Sequence, residues 1–114
     1  MTQKSLSIIP VTAPVHSEPF PLASTIIEAI AAAGQTLQTG DIVAVSSKYM
    51  AISQGRVVLL RDIKPGERAH NIAVQYQMDA RIVELIIMES DHIFGGIDMG
   101  FLLTHTPHGV ISPN

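Results

Sequence analysis

The chain has 114 residues, of which 46% are hydrophobic and only 15% are charged, and its formal net charge is −3. A typical soluble domain has about 25% charged residues, so we infer that part of the apolar surface is buried against a second subunit or another part of the polypeptide. The acidic balance argues against nucleic-acid binding, and the absence of cysteine excludes disulfides and thiolate-bound metal. No apolar run reaches the roughly 20 residues of a membrane span, and no signal-peptide core is present, so we expect a single cytoplasmic domain.

The first half of the chain mixes strand and helix signals. We predict a strand over Ser5–Ile9, a proline-rich loop over residues 10–21 and a helix over Leu22–Ala33. A second strand is predicted over Ile42–Val45, because a run that is apolar on both faces is typical of a strand inside a sheet. The predicted buried stripe of the helix consists of Ile26, Ile27 and Ile30.

In the second half, the residue patterns predict three helices, three strands and a flexible glycine pair. In chain order these are a short helix over Tyr49–Ile52, a strand over Arg56–Leu60, helices over Glu67–Gln77 and Asp79–Glu89, a loop at Gly95-Gly96, and strands over Phe101–Thr106 and Gly109–Ile111. The order lacks strict strand–helix–strand repetition. We therefore predict an α+β fold with a mixed sheet and helices packed against it, and not a regular doubly wound fold.

The step Ser46-Ser47-Lys48 follows the predicted strand Ile42–Val45 directly. If a helix begins there, the free N–H groups of its first turn point towards the same space as two hydroxyls and an ammonium, which suits a phosphate or carboxylate. The segment is neither a P-loop nor a dinucleotide fingerprint. The alternative interpretation is that the serines cap the helix and Lys48 is a solvated surface cation.

The histidines and acidic residues do not cluster in the sequence as the ligands of a metal site would. Asp91 and His92 are too few to bind a metal, and only a turn at Pro107 could bring His105 and His108 together. We therefore predict no metal site and no catalytic residue in the chain. Arg81, Glu84 and Glu89 are expected to form a solvated helix face.

Three blocks of the sequence resemble the coenzyme F420-0:L-glutamate ligase family, also called F420-0:gamma-glutamyl ligases, and they occur in the family's order. The blocks are GDIVAVSSKYMAISQGRVV, DARIVELIIMES and HTPHGVISPN. They are similar to the family's GDxxVVxSK stretch with its S-x-G-R step, its D-P-R-x-V-E helix and its T-R-H-G lead-in to the metal motif N-A-G-I-D.

The resemblance implies a GTP-dependent ligase that joins L-glutamate to coenzyme F420-0 or a related acidic acceptor through an acyl phosphate, with Mg²⁺ or Mn²⁺. It implies that Ser47 and Lys48 contact GTP, that residues 10–16 lie near a second nucleotide-contacting loop, and that the protein is a homodimer. Because Asn114 aligns with the first residue of N-A-G-I-D, we expect the chain to be the N-terminal part of a longer ligase and inactive by itself.

Two positions depart from the family pattern. Ile52 stands where family enzymes have a GTP-contacting lysine, and Pro107 stands where they have the arginine of T-R-H-G. Each lost cation removes a charge-assisted contact to a triphosphate. The departures favour an alternative in which the chain is a non-catalytic ligand-binding or oligomerisation homologue.

Overall fold

A computed structural model of the chain describes residues 4–114. The chain divides into two compact units, Met1–Val57 and Val58–Asn114, and each has its own secondary structure. The helices are α1 (Leu22–Ala32), α2 (Ser47–Ser53), α3 (Glu67–Tyr76) and α4 (Ala80–Glu89), and the strands are β1 (His92–Ile97), β2 (Phe101–His105) and β3 (Ile111–Pro113). This composition confirms the predicted α+β class. None of the helices in residues 4–114 is long and apolar enough to cross a membrane.

The first unit contains α1 and α2 joined by irregular chain. Helix α1 begins at the predicted residue and ends at Ala32, one residue before the predicted end, and Gly34 then has φ +71°, a conformation that glycine adopts at little cost. The buried stripe differs from the prediction, because Ala29 is the buried residue and Ile27 remains 58% exposed.

The second unit packs α3 and α4 against an antiparallel sheet of order β1-β2-β3. Its core is small and well defined, because Val83 of α4 and Leu102 of β2 are fully buried together with two alanines of α3. Alternation along β2 directs Leu102 and Thr104 towards the helices and Leu103 to the opposite face. The buried cluster consists of Ala69, Ala73, Val83 and Leu102.

Three predicted strands are wrong. Ser5–Ile9, Ile42–Val45 and Arg56–Leu60 form no strand, and the last of these runs into a 3₁₀ helix over Leu60–Asp62. A strand requires a neighbouring backbone that pairs with its N–H and C=O groups, and residues 4–57 supply none. Their side chains are correspondingly open to solvent, with Ile42 89% exposed.

The predicted flexible loop at Gly95-Gly96 is also wrong, because both glycines lie within β1. A Cβ on Gly96 would lie 2.5 Å from the carbonyl oxygen of Phe101 and 3.1 Å from the Tyr76 ring. The register of β1 on β2 shifts between Ile93 and Gly95, where Gly95 has φ +151°. The glycines are therefore needed for close packing and for a β-bulge, and not for a turn.

We predict that Gly96→Ala lowers the free energy of unfolding by about 1–3 kcal/mol, because a methyl group would overpack the contact between β1, β2 and α3. Gly66→Ala is the matched control, since a Cβ there meets its nearest atom at an ordinary 3.7 Å. Urea denaturation of both variants measures the effect. Equal stabilities of the two variants would contradict the close packing described for Gly96.

Asp79 caps the N-terminus of α4, as predicted. Its Oδ1 accepts a hydrogen bond from the backbone N–H of Arg81 at 2.9 Å, and its carboxylate accepts two more from the Arg81 guanidinium at 3.0 and 2.6 Å. These bonds lower the pKa of Asp79 from 3.8 to about 2, with the side-chain bond from Arg81 the largest cause. Arg81 thus pairs with Asp79, while Glu84 accepts a hydrogen bond from the Gly66 N–H at 2.9 Å.

We predict that Asp79→Asn makes the protein less stable at neutral pH, and that the difference in stability disappears as the pH falls through about 2. Folding favours the ionised carboxylate, because its pKa in the folded state lies below the ordinary 3.8. The stabilisation is therefore present above the ordinary pKa of 3.8 and is lost as the pH falls through about 2. Thermal unfolding across this range, with Asp98→Asn as a surface control, measures the difference, and a difference that did not shrink in acid would contradict the role of the charge.

Candidate functional site

The first turn of α2 presents the Ser-Ser-Lys step to solvent. Ser46 is the N-cap residue, and Ser47 and Lys48 are the first two helical residues, so the helix begins close to the predicted position. Ser46 makes no side-chain capping bond, and all three side chains are exposed. Within residues 4–114 their hydroxyl and ammonium groups are not used by the fold, which leaves them available to an anion.

Helix α2 is attached to the proline-rich loop by a hydrogen bond across 35 residues of sequence. The Tyr49 hydroxyl donates to the carbonyl oxygen of Pro14 at 2.7 Å. At the other end of the helix, the Phe20 N–H donates to the carbonyl oxygen of Ser53 at 3.3 Å. The two segments that the family resemblance associates with GTP, residues 10–16 and the start of α2, are therefore neighbours within the first unit.

An aromatic group supports this attachment. The His16 and Phe20 rings stack with centroids 3.9 Å apart, and the Tyr49 ring is tilted against Phe20 at 4.8 Å. The His16 Nε2 atom is buried and has no hydrogen-bond partner among residues 4–114. The sequence alone did not single out His16 and Phe20, because their packing against Tyr49 joins residues far apart in sequence and leaves no periodic signal.

An open cleft of about 700 Å³ lies in the first unit beside these groups. The loop residues Pro10 and Val11, the α2 N-cap Ser46 and the α2 residue Tyr49 form part of its lining, and Ile30 of α1 contributes to the apolar part. Ser46 brings a hydroxyl to the lining. The cleft thus combines apolar walls with hydroxyl groups, and Ser47 and Lys48 are not among its lining residues.

The two residues that depart from the family pattern, Ile52 and Pro107, lie in different structural environments. Ile52 lies four residues after Lys48, so it occupies the same side of α2 one turn further on, and it is half-buried. Pro107 lies in the exposed turn between β2 and β3, next to His108. His105 is the last residue of β2, and no group of three or more ligands in residues 4–114 includes it or His108.

Asn114 is held firmly against β2. Its Oδ1 accepts a hydrogen bond from the Leu102 N–H at 2.5 Å, and its own N–H donates to the Leu102 carbonyl oxygen at 3.1 Å. Asn114, which the resemblance places at the start of the family's metal motif, therefore continues the β2–β3 ladder. This pairing fixes its position relative to the buried core residue Leu102.

The acidic and imidazole side chains of residues 4–114 do not converge in a cluster of three or more metal ligands. No group of three or more histidine, aspartate or glutamate side chains in this part of the chain is placed to hold an ion. A Mg²⁺ or Mn²⁺ ion requires several oxygen ligands around one point. The donors described do not fit such an ion.

Comparison with known proteins identifies the family. The sequence model of the F420-0:Gamma-glutamyl ligase family matches residues 11–114. Coenzyme F420:L-glutamate ligase of Methanothermobacter thermautotrophicus is 31% identical over 93 residues, covering 82% of this chain and 36% of that protein. The protein of the same name from Halobacterium salinarum is 32% identical over 94 residues, covering 77% of this chain and 36% of the relative.

The chain therefore belongs to the F420-0:gamma-glutamyl ligase family, as its three sequence blocks predicted. It spans 36% of the length of each of these two relatives. The aligned part includes both α2 and the loop from residue 11 onwards.

Proposed function

We propose that this chain forms the nucleotide-contacting part of a cytoplasmic ligase that adds L-glutamate to coenzyme F420-0 or a related acidic acceptor, using GTP. The attachment of the proline-rich loop to α2 by the Tyr49–Pro14 hydrogen bond carries the proposal. It places the two segments implied in GTP contact side by side. Ser47 and Lys48 supply a hydroxyl and an ammonium that the fold leaves exposed.

The chemistry proposed is the activation of a carboxylate. The γ-phosphoryl group of GTP moves to a carboxylate oxygen of the acceptor and leaves GDP, and the amine of L-glutamate then attacks the acyl carbon and releases phosphate. Lys48 and Ser47 would donate to phosphate oxygens and hold the nucleotide in place. Since the donors of residues 4–114 do not fit Mg²⁺ or Mn²⁺, we assign no step of metal chemistry to them.

A second candidate is a non-catalytic homologue that binds a ligand or a partner. Ile52 favours it, because an apolar, half-buried residue replaces a cation beside Lys48. The candidates differ in one observable property. A ligase loses GTP affinity when Lys48 is removed, whereas a homologue that does not bind nucleotide shows no such affinity.

We predict that Lys48→Ala weakens GTP binding by about 1.5–3 kcal/mol in a full-length ligase that carries this segment, because one charge-assisted hydrogen bond is lost. Ile52→Lys should strengthen binding, since the new ammonium would lie one turn from Lys48 on the same side of α2. Titration calorimetry with GTP and Mg²⁺ measures both changes.

Lys64→Ala is the matched control for these variants, because Lys64 is also an exposed lysine but lies outside α2. Its GTP affinity should equal that of the unmodified protein. If Lys48→Ala also left the affinity unchanged, Lys48 would be an ordinary surface cation and the nucleotide site would have to be placed elsewhere.

We predict that the 114-residue chain alone does not add L-glutamate to coenzyme F420-0 in the presence of GTP and Mg²⁺ or Mn²⁺. The reason is that residues 4–114 hold no cluster of ligands for these ions. The assay compares the chain with a full-length ligase. Turnover by the chain above that of a protein-free blank would contradict this prediction.

We further propose that the protein is a homodimer, because both units leave large apolar side chains open to solvent. Ile8 is 86% exposed in the first unit and Ile97 is 62% exposed in the second. Burial of such surface drives association of identical subunits. Light scattering should give twice the mass of one chain, and a monomeric mass at roughly tens of micromolar would refute the dimer.

A further inference from the structure

The first two strands bring together two histidines that are far apart in sequence. In the β1–β2 register, His92 pairs with His105. The next pair joins Ile93, which packs against the core, to Thr104, which is 5% exposed. Because side chains alternate along a strand, His92 and His105 lie together on the opposite face of the sheet, away from α3 and α4.

The geometry points to a transition-metal site, and we propose that His92 and His105 bind an ion such as Zn²⁺ or Ni²⁺ through their imidazoles. Directly opposed residues of an antiparallel pair have Cβ atoms about 4.5–5.5 Å apart, a separation that two imidazoles can bridge through one ion. Imidazole is a preferred ligand of zinc, copper and nickel. The proposal does not rest on the ligase function, whose Mg²⁺ or Mn²⁺ favours oxygen ligands.

The surroundings of the pair leave it open to an ion. Neither imidazole makes a hydrogen bond or ion pair to another group within residues 4–114. The His92 ring contacts the Phe94 ring edge-on, with centroids 4.7 Å apart and planes at 74°, and this contact limits its orientation. His92 is exposed and His105 is half-buried. The described residues add no third histidine, aspartate or glutamate ligand, so water would complete the coordination.

The experiment is a Zn²⁺ titration of the tag-free chain followed by calorimetry and by amide NMR shifts. We expect saturable binding of one ion, with the largest shifts at β1 and β2. His92→Gln and His105→Gln should each weaken binding by at least about tenfold, since even loss of an outer-shell partner of a metal ligand commonly costs 10–100-fold. His108→Gln is the matched control, because this exposed histidine lies in the adjacent turn.

Three results would overturn the proposal: no saturable binding by the unmodified chain, unchanged affinity in His92→Gln, or an equal loss in His108→Gln. In the double variant His92→Gln/His105→Gln, the fold-loss in Zn²⁺ affinity should not exceed the product of the two single-variant losses, because both imidazoles bind the same ion. Circular dichroism establishes that each variant is folded. If His105→Gln fails to fold, the exposed His92 decides the outcome alone.

Discussion

The second unit depends on the contact of the inner face of β2 with α3 and α4. Leu102 is 1% exposed, and it meets Val83 of α4 and the alanines of α3. Burying a leucine or valine side chain contributes about 1.5–3 kcal/mol each, so this small cluster is a large part of the unit's hydrophobic stabilisation. The same alternation that turns Leu102 inward turns Leu103 and His105 outward.

The contact also explains the glycines of β1 and the position of Asn114. The bulge between Ile93 and Gly95 keeps Ile93 against the core while the strand continues past the Tyr76 ring. On the other side of β2, the Leu102 N–H donates to the Asn114 side chain, and the Leu102 carbonyl oxygen accepts from the Asn114 N–H. One buried leucine thus lies at the centre of pairing on both sides of the strand.

The helices could be predicted from the sequence because their signals are local. Asp79 as the cap of α4 and the apolar spacing of α1 lie within one or two turns of the elements they define. The strands could not be predicted as well, since pairing depends on residues far along the chain. The run Ile42–Val45 has the composition of a strand but no partner in residues 4–57, while β1 contains the pair Gly95-Gly96, for which the sequence predicts a loop.

The same contrast between local signals and long-range contacts holds for the candidate site. The polar start of α2 at Ser47 and Lys48 is visible as a local change from apolar to polar residues, and the structure places a helix there. The hydrogen bond from Tyr49 to Pro14 and the register of His92 with His105 are not visible in this way. Both depend on tertiary contacts, and the second also depends on the pairing of β1 before its bulge.

The two units bury their side chains unequally. Among residues 4–57 only Ala29 is buried, whereas the second unit buries Leu102, Val83, Thr104 and two alanines. Local opening costs least where few apolar contacts are broken. Amide hydrogens of the first unit should therefore exchange with deuterium sooner than those of β2 and α4, and a protease would first cut the segment that carries the proposed nucleotide contacts. A bound nucleotide that holds the loop and α2 together would slow both processes.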